Sequence, residues 1–221
     1  MKFRNRTEAG RLLATKLAGY AHRSDLVVLA LPRGGLPVAY EVAEELHAPL
    51  DIFLVRKLGV PGHEELALGA IATGGVRLLN EDVVRYFEIS RQTIDAVTVK
   101  EQKELERRER LYRKGRAPLN VNGRTVILVD DGLATGSSMR AAAAAVRQQQ
   151  PARIVVAVPV AATATCEELS TEVDEIVCAD TPEPFYAVGL WYEDFSQTTD
   201  EEVRGLLERT NSANAAGVPR R

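Results

Sequence analysis

The chain carries, at residues 126–138, the stretch Val-Ile-Leu-Val-Asp-Asp-Gly-Leu-Ala-Thr-Gly-Ser-Ser. Its four consecutive β-favouring apolar residues predict a strand that is buried on both faces, as in a parallel sheet. Asp130 and Asp131 follow at the carboxyl end of that strand, which is the edge where open α/β sheets bind ligands. A sugar-phosphate site is therefore expected at this point of the chain.

Small and hydroxyl-bearing residues follow the two acids. Gly132 and Gly136 let the backbone turn tightly, and Thr135, Ser137 and Ser138 supply hydroxyl donors. We expect a helix to begin at once, with Ser137 or Ser138 as its N-cap, so that free N–H groups and the positive helix end face a phosphate. The paired carboxylates suit vicinal sugar hydroxyls, or a divalent cation held through water.

This stretch resembles the phosphoribosyl pyrophosphate signature of the type I phosphoribosyltransferases, in which an apolar strand, two acids and two variable residues precede a Thr-Gly-Ser/Thr loop. The resemblance implies that Asp130 and Asp131 bind the ribose hydroxyls and that the loop from Ala134 to Ser138 binds the 5′-phosphate. It implies a Mg²⁺-dependent enzyme, its metal held by the two aspartates through water. That enzyme would transfer ribose 5-phosphate from phosphoribosyl pyrophosphate to a nitrogenous acceptor and release pyrophosphate.

Composition favours one metabolic domain over residues 1–210, because 221 residues with 45% hydrophobic content can bury one full core. Residues 211–221 are small and polar and are expected to be a disordered tail. A net charge of −3 disfavours nucleic acid as a general partner. Cys166 and Cys178 are expected to be ordinary reduced thiols in the cytosol.

No targeting signal or membrane span is visible in the sequence, so the cytoplasm is the expected compartment. No membrane partner is expected, and a homodimer is the expected assembly.

The pattern of alternating strands and helices predicts an α/β fold, with a mostly parallel central sheet flanked by helices and a small hood subdomain from both chain ends. The predicted elements are helix 7–21, strand 25–31, helix 36–46, strand 51–56, a hairpin within 69–79, helix 91–114, strand 126–129, helix 138–149, strand 153–158, helix 163–170, strand 175–178 and helix 200–209.

A second loop, Leu-Pro-Arg-Gly-Gly at residues 31–35, follows the first predicted core strand. Arg33 supplies a cation, and Gly34 and Gly35 expose backbone N–H groups, so the loop can hold a diphosphate or be a plain turn. The family resemblance implies a pyrophosphate loop with a non-proline cis peptide within residues 32–34. Arg56 and Lys57 end the next predicted strand and place two more cations at the same edge, unless they are an ordinary basic strand terminus.

The run from Val55 to Gly62 resembles the segment that opens the flexible catalytic loop of adenine phosphoribosyltransferases, and its part from Leu58 to Gly62 is predicted to be irregular and mobile. Ala134 stands where hypoxanthine-guanine enzymes carry their proposed acidic base. Glu64, Glu65 and His63 are substitute candidates for that base, although each is more often a solvated loop side chain. The identity of a general base stays open.

Aromatic residues concentrate between residues 185 and 195. Phe185, Tyr186 and Trp191 are candidates to stack on a planar acceptor base, although core packing or a dimer interface would explain them equally well. Residues 100–116 carry a local charge of +4, which suits a solvated helix or, alternatively, a basic arm for RNA, DNA or a partner subunit. The competing functional class is a non-catalytic regulator that senses a nucleotide or phosphoribosyl pyrophosphate on the same fold.

Overall fold

The computed structural model describes residues 2–115 and 117–216, with side chains described as far as residue 210. The helices are α1 (Arg6–Lys16), α2 (Gly35–Leu46), α3 (Glu81–Tyr86), α4 (Arg91–Arg113), α5 (Ser137–Gln148), α6 (Thr163–Ser170) and α7 (Asp200–Ala216). The strands are β1 (Leu26–Ala30), β2 (Leu50–Ile52), β3 (Val55–Val60), β4 (His63–Ala72), β5 (Val76–Leu79), β6 (Thr125–Val129), β7 (Arg153–Val160) and β8 (Glu175–Asp180). Short 3₁₀ helices cover Ala18–Tyr20 and Val188–Trp191.

Five parallel strands form the central sheet in the order β2-β1-β6-β7-β8, which confirms the predicted fold class. Alternate side chains of each strand enter different cores, because successive residues of a strand point to opposite faces. Val28 and Ile127 pack with α1, α2 and α7, whereas Val27 and Val126 pack with α5 and α6. The apolar run of β6 is thus buried on both faces, as its sequence predicts.

A second sheet, β3-β4-β5, is antiparallel and lies beside the central one. The hairpin predicted within residues 69–79 is confirmed as the β4–β5 connection, where Gly74 and Gly75 both have positive φ. Two predictions here are wrong. The predicted strand 51–56 is split between β2 and β3, and the segment from Leu58 to Gly62 is the second half of strand β3 and a turn instead of an irregular loop. A continuous apolar run does not reveal that the chain changes strand partners.

Helix α3 was not predicted, although its start carries a recognisable signal. Asn80 is its N-cap and accepts a hydrogen bond from the Val83 amide, while Glu81 and Asp82 occupy the first turn. At the other end of the chain, α7 continues to Ala216, past its predicted end at Arg209. The predicted disordered tail covers residues 211–221, of which 217–221 lie outside the described residues.

Cys166 of α6 and Cys178 of β8 form a disulfide, so the prediction of two reduced thiols is wrong. They are twelve positions apart in sequence, and the packing of α6 against the sheet brings their side chains together. The number of cysteines gave no sign of this pairing, because two thiols at this spacing fit either redox state.

The basic segment at residues 100–116 is mainly the second half of α4, and each arginine of that helix half is paired with an acid. Arg107 and Arg108 both donate to Glu104 and lower the pKa of that carboxyl to about 2. Arg113 is buried at the end of the helix against Asp51. The Glu104 pairs are typical of a solvated helix, and the buried Arg113–Asp51 pair anchors the end of that helix. No helix in the described part of the chain is both long and apolar enough to cross a membrane.

Candidate functional site

Asp130 and Asp131 lie at the carboxyl edge of the central sheet, directly after β6. Both carboxylates lie against the turn before α2. A Cβ atom at Gly34 would lie 2.0 Å from Asp131 Oδ2, and one at Gly35 would lie 2.7 Å from the Val129 carbonyl oxygen. The two glycines predicted to bind a diphosphate therefore also make room for the two acids. The predicted non-proline cis peptide is confirmed between Pro32 and Arg33.

Burial dominates the electrostatics of the acid pair. It raises the pKa of Asp130 well above the usual value, and the neighbouring charge of Asp131 raises that pKa further. Burial also raises the pKa of Asp131, although the guanidinium of Arg6 opposes this shift. Arg6 Nε donates to Asp131 Oδ2 at 2.8 Å. The pair thus favours ligands that bring hydrogen-bond donors or positive charge to the carboxylates.

The loop after the acids is held by the next strand and helix. The Leu133 amide donates to the Val160 carbonyl at 2.9 Å, and Thr165 Oγ1 donates to the Ala134 carbonyl at 2.6 Å. The N-cap of α5 is Gly136, with a φ of 69°, so the prediction of a serine N-cap is wrong. Because glycine has no side chain, the N-cap residue makes no side-chain hydrogen bond to the first amide groups of the helix. The first amide groups of α5 are available for an anion.

Replacing Thr165 with Val should weaken the binding of a probe anion, inorganic phosphate, at the start of α5 by about 0.5–1.5 kcal/mol, because the Ala134 carbonyl loses a part-buried hydrogen bond that holds the loop. Isothermal titration calorimetry measures the change. Thr171→Val is the matched control, since its hydroxyl bonds the Glu168 carbonyl at the far end of α6. Equal affinities for the wild type and Thr165→Val would contradict this role of Thr165.

Two cavities meet at Asp130. The first, of about 200 Å³, is lined by the acid, by every residue of the loop from Gly132 to Met139, and by Val188. The second, of about 100 Å³, is lined by Leu31, Pro32, Phe53, Leu54, Val55, Arg56, Arg108, Asp130 and Ser138. A larger cavity of about 670 Å³ lies between α1, α2 and α7 and contains neither aspartate. Of these three cavities, the first two share Asp130 and can form one site with it, whereas Asp131 is in the lining of none of them.

The three cations predicted for the site have partners other than Asp130 and Asp131. Arg33 lies 3.7 Å from Asp200, Arg56 is paired with Glu101, and Lys57 Nζ donates to the Glu65 carbonyl at 2.8 Å. Of these three, only Arg56 lines the second cavity. The base candidates His63, Glu64 and Glu65 surround the β3–β4 turn, where they line a separate cavity with Phe87. The structure thus keeps them apart from Asp130.

The aromatic segment is divided between packing and exposure. Phe185 and Trp191 stack on each other, with ring centroids 6.4 Å apart, and pack against the core around Phe3 and Tyr192. Tyr186 is 79% exposed. The Tyr192 hydroxyl donates to the Asp131 carbonyl at 2.7 Å, which ties the hood to the acid pair. Phe3 forms a parallel bridge with Tyr192, so both chain ends build the hood, as predicted.

Several residues of the site were not found from sequence. They are Arg6, Arg108, Thr165, Val188 and Tyr192. Arg6 precedes Asp131 by 125 residues, and no local motif joins the two. Arg108 lies in the segment 100–116, for which the sequence indicates a solvated helix or a basic arm. For Thr165, the helix start after β7 was a usable signal, because helix starts on this edge of a parallel sheet face the ligand site.

The described residues contain no cluster of three or more His, Cys, Asp or Glu side chains that could hold a metal ion. Two carboxylates side by side still fit Mg²⁺, since this ion keeps several waters and takes one or two carboxylates together with substrate phosphates. The donor set therefore suits a metal that arrives with a phosphorylated ligand.

A model of the phosphoribosyl transferase domain family matches residues 61–190. Two Mycobacterium tuberculosis proteins, "Putative phosphoribosyl transferase Rv0571c" and "Putative phosphoribosyl transferase MT0597", are each 46% identical over 209 residues. The match covers 95% of this chain and 47% of each relative, so the chain spans about half the length of those relatives. The crystal structure of TT1426 from Thermus thermophilus is 44% identical, with a TM-score of 0.85, and the match covers 95% of this chain and 99% of that chain.

Proposed function

The chain belongs to the phosphoribosyl transferase domain family, and we propose that it transfers ribose 5-phosphate from phosphoribosyl pyrophosphate to a nitrogenous acceptor, with release of pyrophosphate. One observation carries this proposal. Asp130 lies where two cavities meet, one lined by the loop from Gly132 to Met139 and the other by Pro32, Arg56 and Arg108. The donor has a matching chemistry, with a phosphate at one end, a diol in the middle and a diphosphate at the other end.

Each part of the site has a role in this proposal. Asp130 and Asp131 accept hydrogen bonds from the ribose hydroxyls. The amides and hydroxyls of Ala134, Thr135, Gly136, Ser137 and Ser138 bind the 5′-phosphate at the start of α5. The guanidinium groups of Arg56 and Arg108 line the second cavity. With the backbone of Gly34 and Gly35, they stabilise the negative charge that grows on the leaving pyrophosphate. Arg33 and Lys57 join them if they leave their present partners.

Mg²⁺ is the proposed cofactor, and Asp130 and Asp131 are the residues that would hold it, through water. When bound with the donor, the ion would neutralise part of the diphosphate charge. A purine base is the proposed acceptor. The exposed ring of Tyr186 supports this choice, because a flat aromatic surface beside the hood can stack on a planar base.

We propose the cytoplasm as the compartment and a homodimer as the assembly. The redox state of the Cys166–Cys178 pair tests the compartment, because persistent disulfides are typical of oxidising compartments and thiols stay reduced in the cytosol. Rapid alkylation of thiols at cell lysis tests this point. Two free thiols per chain in the lysate would favour the cytoplasm, and none would favour an oxidising compartment.

The decisive assay incubates the purified chain with labelled phosphoribosyl pyrophosphate, Mg²⁺ and a panel of purines, pyrimidines and amines, and measures pyrophosphate release. Release that depends on one acceptor, with formation of the corresponding ribosylated product, is the expected result. Omitting Mg²⁺ from a parallel reaction should abolish release. Tight binding of the donor without turnover on any acceptor would contradict the enzyme and favour a regulator that senses the same ligand.

Asp131→Asn should weaken the binding of ribose 5-phosphate by about 1–3 kcal/mol, because the charged acceptor for a ribose hydroxyl is lost. The substitution keeps the shape of the side chain, so the Gly34 turn stays filled. Calorimetry on the folded variant measures the change. Asp95→Asn is the matched control, since Asp95 is an exposed carboxylate that pairs with Arg77 on the surface. An unchanged affinity would mean that the assignment of the ribose hydroxyls to Asp131 is wrong.

A further inference from the structure

Arg6 is fixed at the acid pair by three contacts. Its Nε donates to Asp131 Oδ2 at 2.8 Å, and its Nη1 donates to the Ser196 carbonyl at 2.7 Å. Its guanidinium carbon lies 4.1 Å from the ring centroid of Phe195. The side chain is only 11% exposed. Such a guanidinium is held in one plane and one direction, unlike a surface arginine that samples many rotamers.

The same guanidinium borders the turn that is proposed to hold the diphosphate. Its Nε lies 3.3 Å from the position that a Cβ would take at Gly34. The cation that the sequence placed in this turn, Arg33, instead lies 3.7 Å from Asp200 of α7. Arg6 therefore lies on the boundary between the ribose-binding acid and the diphosphate turn.

One nitrogen of Arg6 is left for a ligand. Within the described residues, Nε and Nη1 have the partners given above, while Nη2 makes no hydrogen bond to a protein atom and is not buried from solvent. A guanidinium presents its N–H groups as a planar fork that matches the oxygens of a phosphate. A largely buried cation is also worth more to an anion than an exposed one, because solvent screens it less.

Resting on the proposed function, we propose that Arg6 binds the diphosphate of the donor through Nη2 while its Nε holds Asp131 toward the ribose hydroxyls. Arg6 then connects the two halves of the site. It supplies a fixed positive charge at the diphosphate turn, where Arg33 is drawn away to Asp200 and Lys57 to the Glu65 carbonyl.

The test compares two ligands by calorimetry on the full chain with Mg²⁺ present, inorganic pyrophosphate and, separately, ribose 5-phosphate. Arg6→Gln should weaken pyrophosphate binding at least tenfold and ribose 5-phosphate binding less than about threefold, because glutamine can still donate to Asp131 but carries no charge. Arg6→Lys should restore part of the pyrophosphate affinity. Arg4→Gln is the matched control, since Arg4 is an exposed neighbour paired with Glu8, and it should bind both ligands like the wild type.

Three results would overturn the inference. Unchanged pyrophosphate affinity in Arg6→Gln would show that Arg6 does not bind the diphosphate. An equal loss for both ligands would show that Arg6 only positions Asp131. Tighter binding of ribose 5-phosphate would show that Arg6 competes with the sugar for the carboxylate.

Arg6→Lys decides the matter if Arg6→Gln does not fold, which a thermal melt establishes. Lysine keeps the charge but lacks the planar fork, so it should weaken pyrophosphate binding about threefold and leave ribose 5-phosphate binding unchanged. Unchanged pyrophosphate affinity in a folded Arg6→Lys would then overturn the inference. Failure of the proposed function looks different, because the wild-type chain itself would bind neither ligand.

Discussion

Replacing Arg113 with Met should lower the free energy of unfolding by about 3–5 kcal/mol, because it leaves the buried charge of Asp51 without its partner. Arg113 Nε lies 3.1 and 3.2 Å from the two Asp51 carboxylate oxygens, and its Nη2 donates to the Ile52 carbonyl at 2.6 Å. The side chain is 4% exposed. Methionine has a similar length, but it has no N–H group to donate to the Asp51 carboxylate or to the Ile52 carbonyl.

Equilibrium denaturation in urea measures this loss. Arg110→Met is the matched control on the same helix, since Arg110 is 70% exposed and lies 3.7 Å from Glu106, and its removal should cost about 0–1 kcal/mol. The double variant Asp51→Asn with Arg113→Met should recover part of the loss, because it removes both charges. A single Arg113→Met variant within about 1 kcal/mol of the wild type would show that the pair is not what anchors α4.

Gly35→Ala should lower the free energy of unfolding by about 1–3 kcal/mol and also remove measurable binding of ribose 5-phosphate. The added Cβ would lie 2.7 Å from the Val129 carbonyl oxygen and 2.9 Å from Asp130 Cα. These are backbone atoms at the end of the central strand β6, so no side-chain rotation can relieve the contact. The strand end must move, and Asp130 moves with it.

Denaturation and calorimetry on the same preparation measure the two effects of Gly35→Ala. Gly205→Ala in α7 is the matched control, because a Cβ there meets no atom within 4 Å. That variant should be more stable by about 0.5–1 kcal/mol, as expected for alanine in place of glycine inside a helix, and should bind like the wild type. Gly35→Ala that keeps its ligand affinity would contradict the close fit of the turn against the acids.

Local patterns predicted the part of the site that is contiguous in sequence. The apolar run of β6, the two aspartates and the loop to Ser138 lie where the residue types place them. The cis peptide after Pro32 was implied by the family resemblance. The glycines beside it are needed because the two acids lie so close to the turn that a Cβ atom has no room. The N-cap of α5 was placed one or two residues too late, since Gly136 takes the position by its positive φ instead of by a side-chain bond.

Long-range partners could not be predicted in this way. The chain gives no local sign that Arg6 reaches Asp131, that Cys166 meets Cys178, or that Arg33 turns to Asp200. Nor does an apolar run show that β3 leaves the central sheet for the β3–β4 hairpin. Each of these contacts depends on how separate elements pack, which no neighbouring residue encodes.

The sequence by itself therefore determined the α/β sheet, the carboxyl-edge position of Asp130 and Asp131, and the small-residue loop that follows them, because strand burial and turn geometry depend on adjacent residue types. The tertiary structure alone decided which cation lies beside those acids. Side chains from α1, the α2 turn and the hood converge there only after the sheet is built, and the charge of a buried arginine is satisfied by whatever acceptors that packing brings within reach.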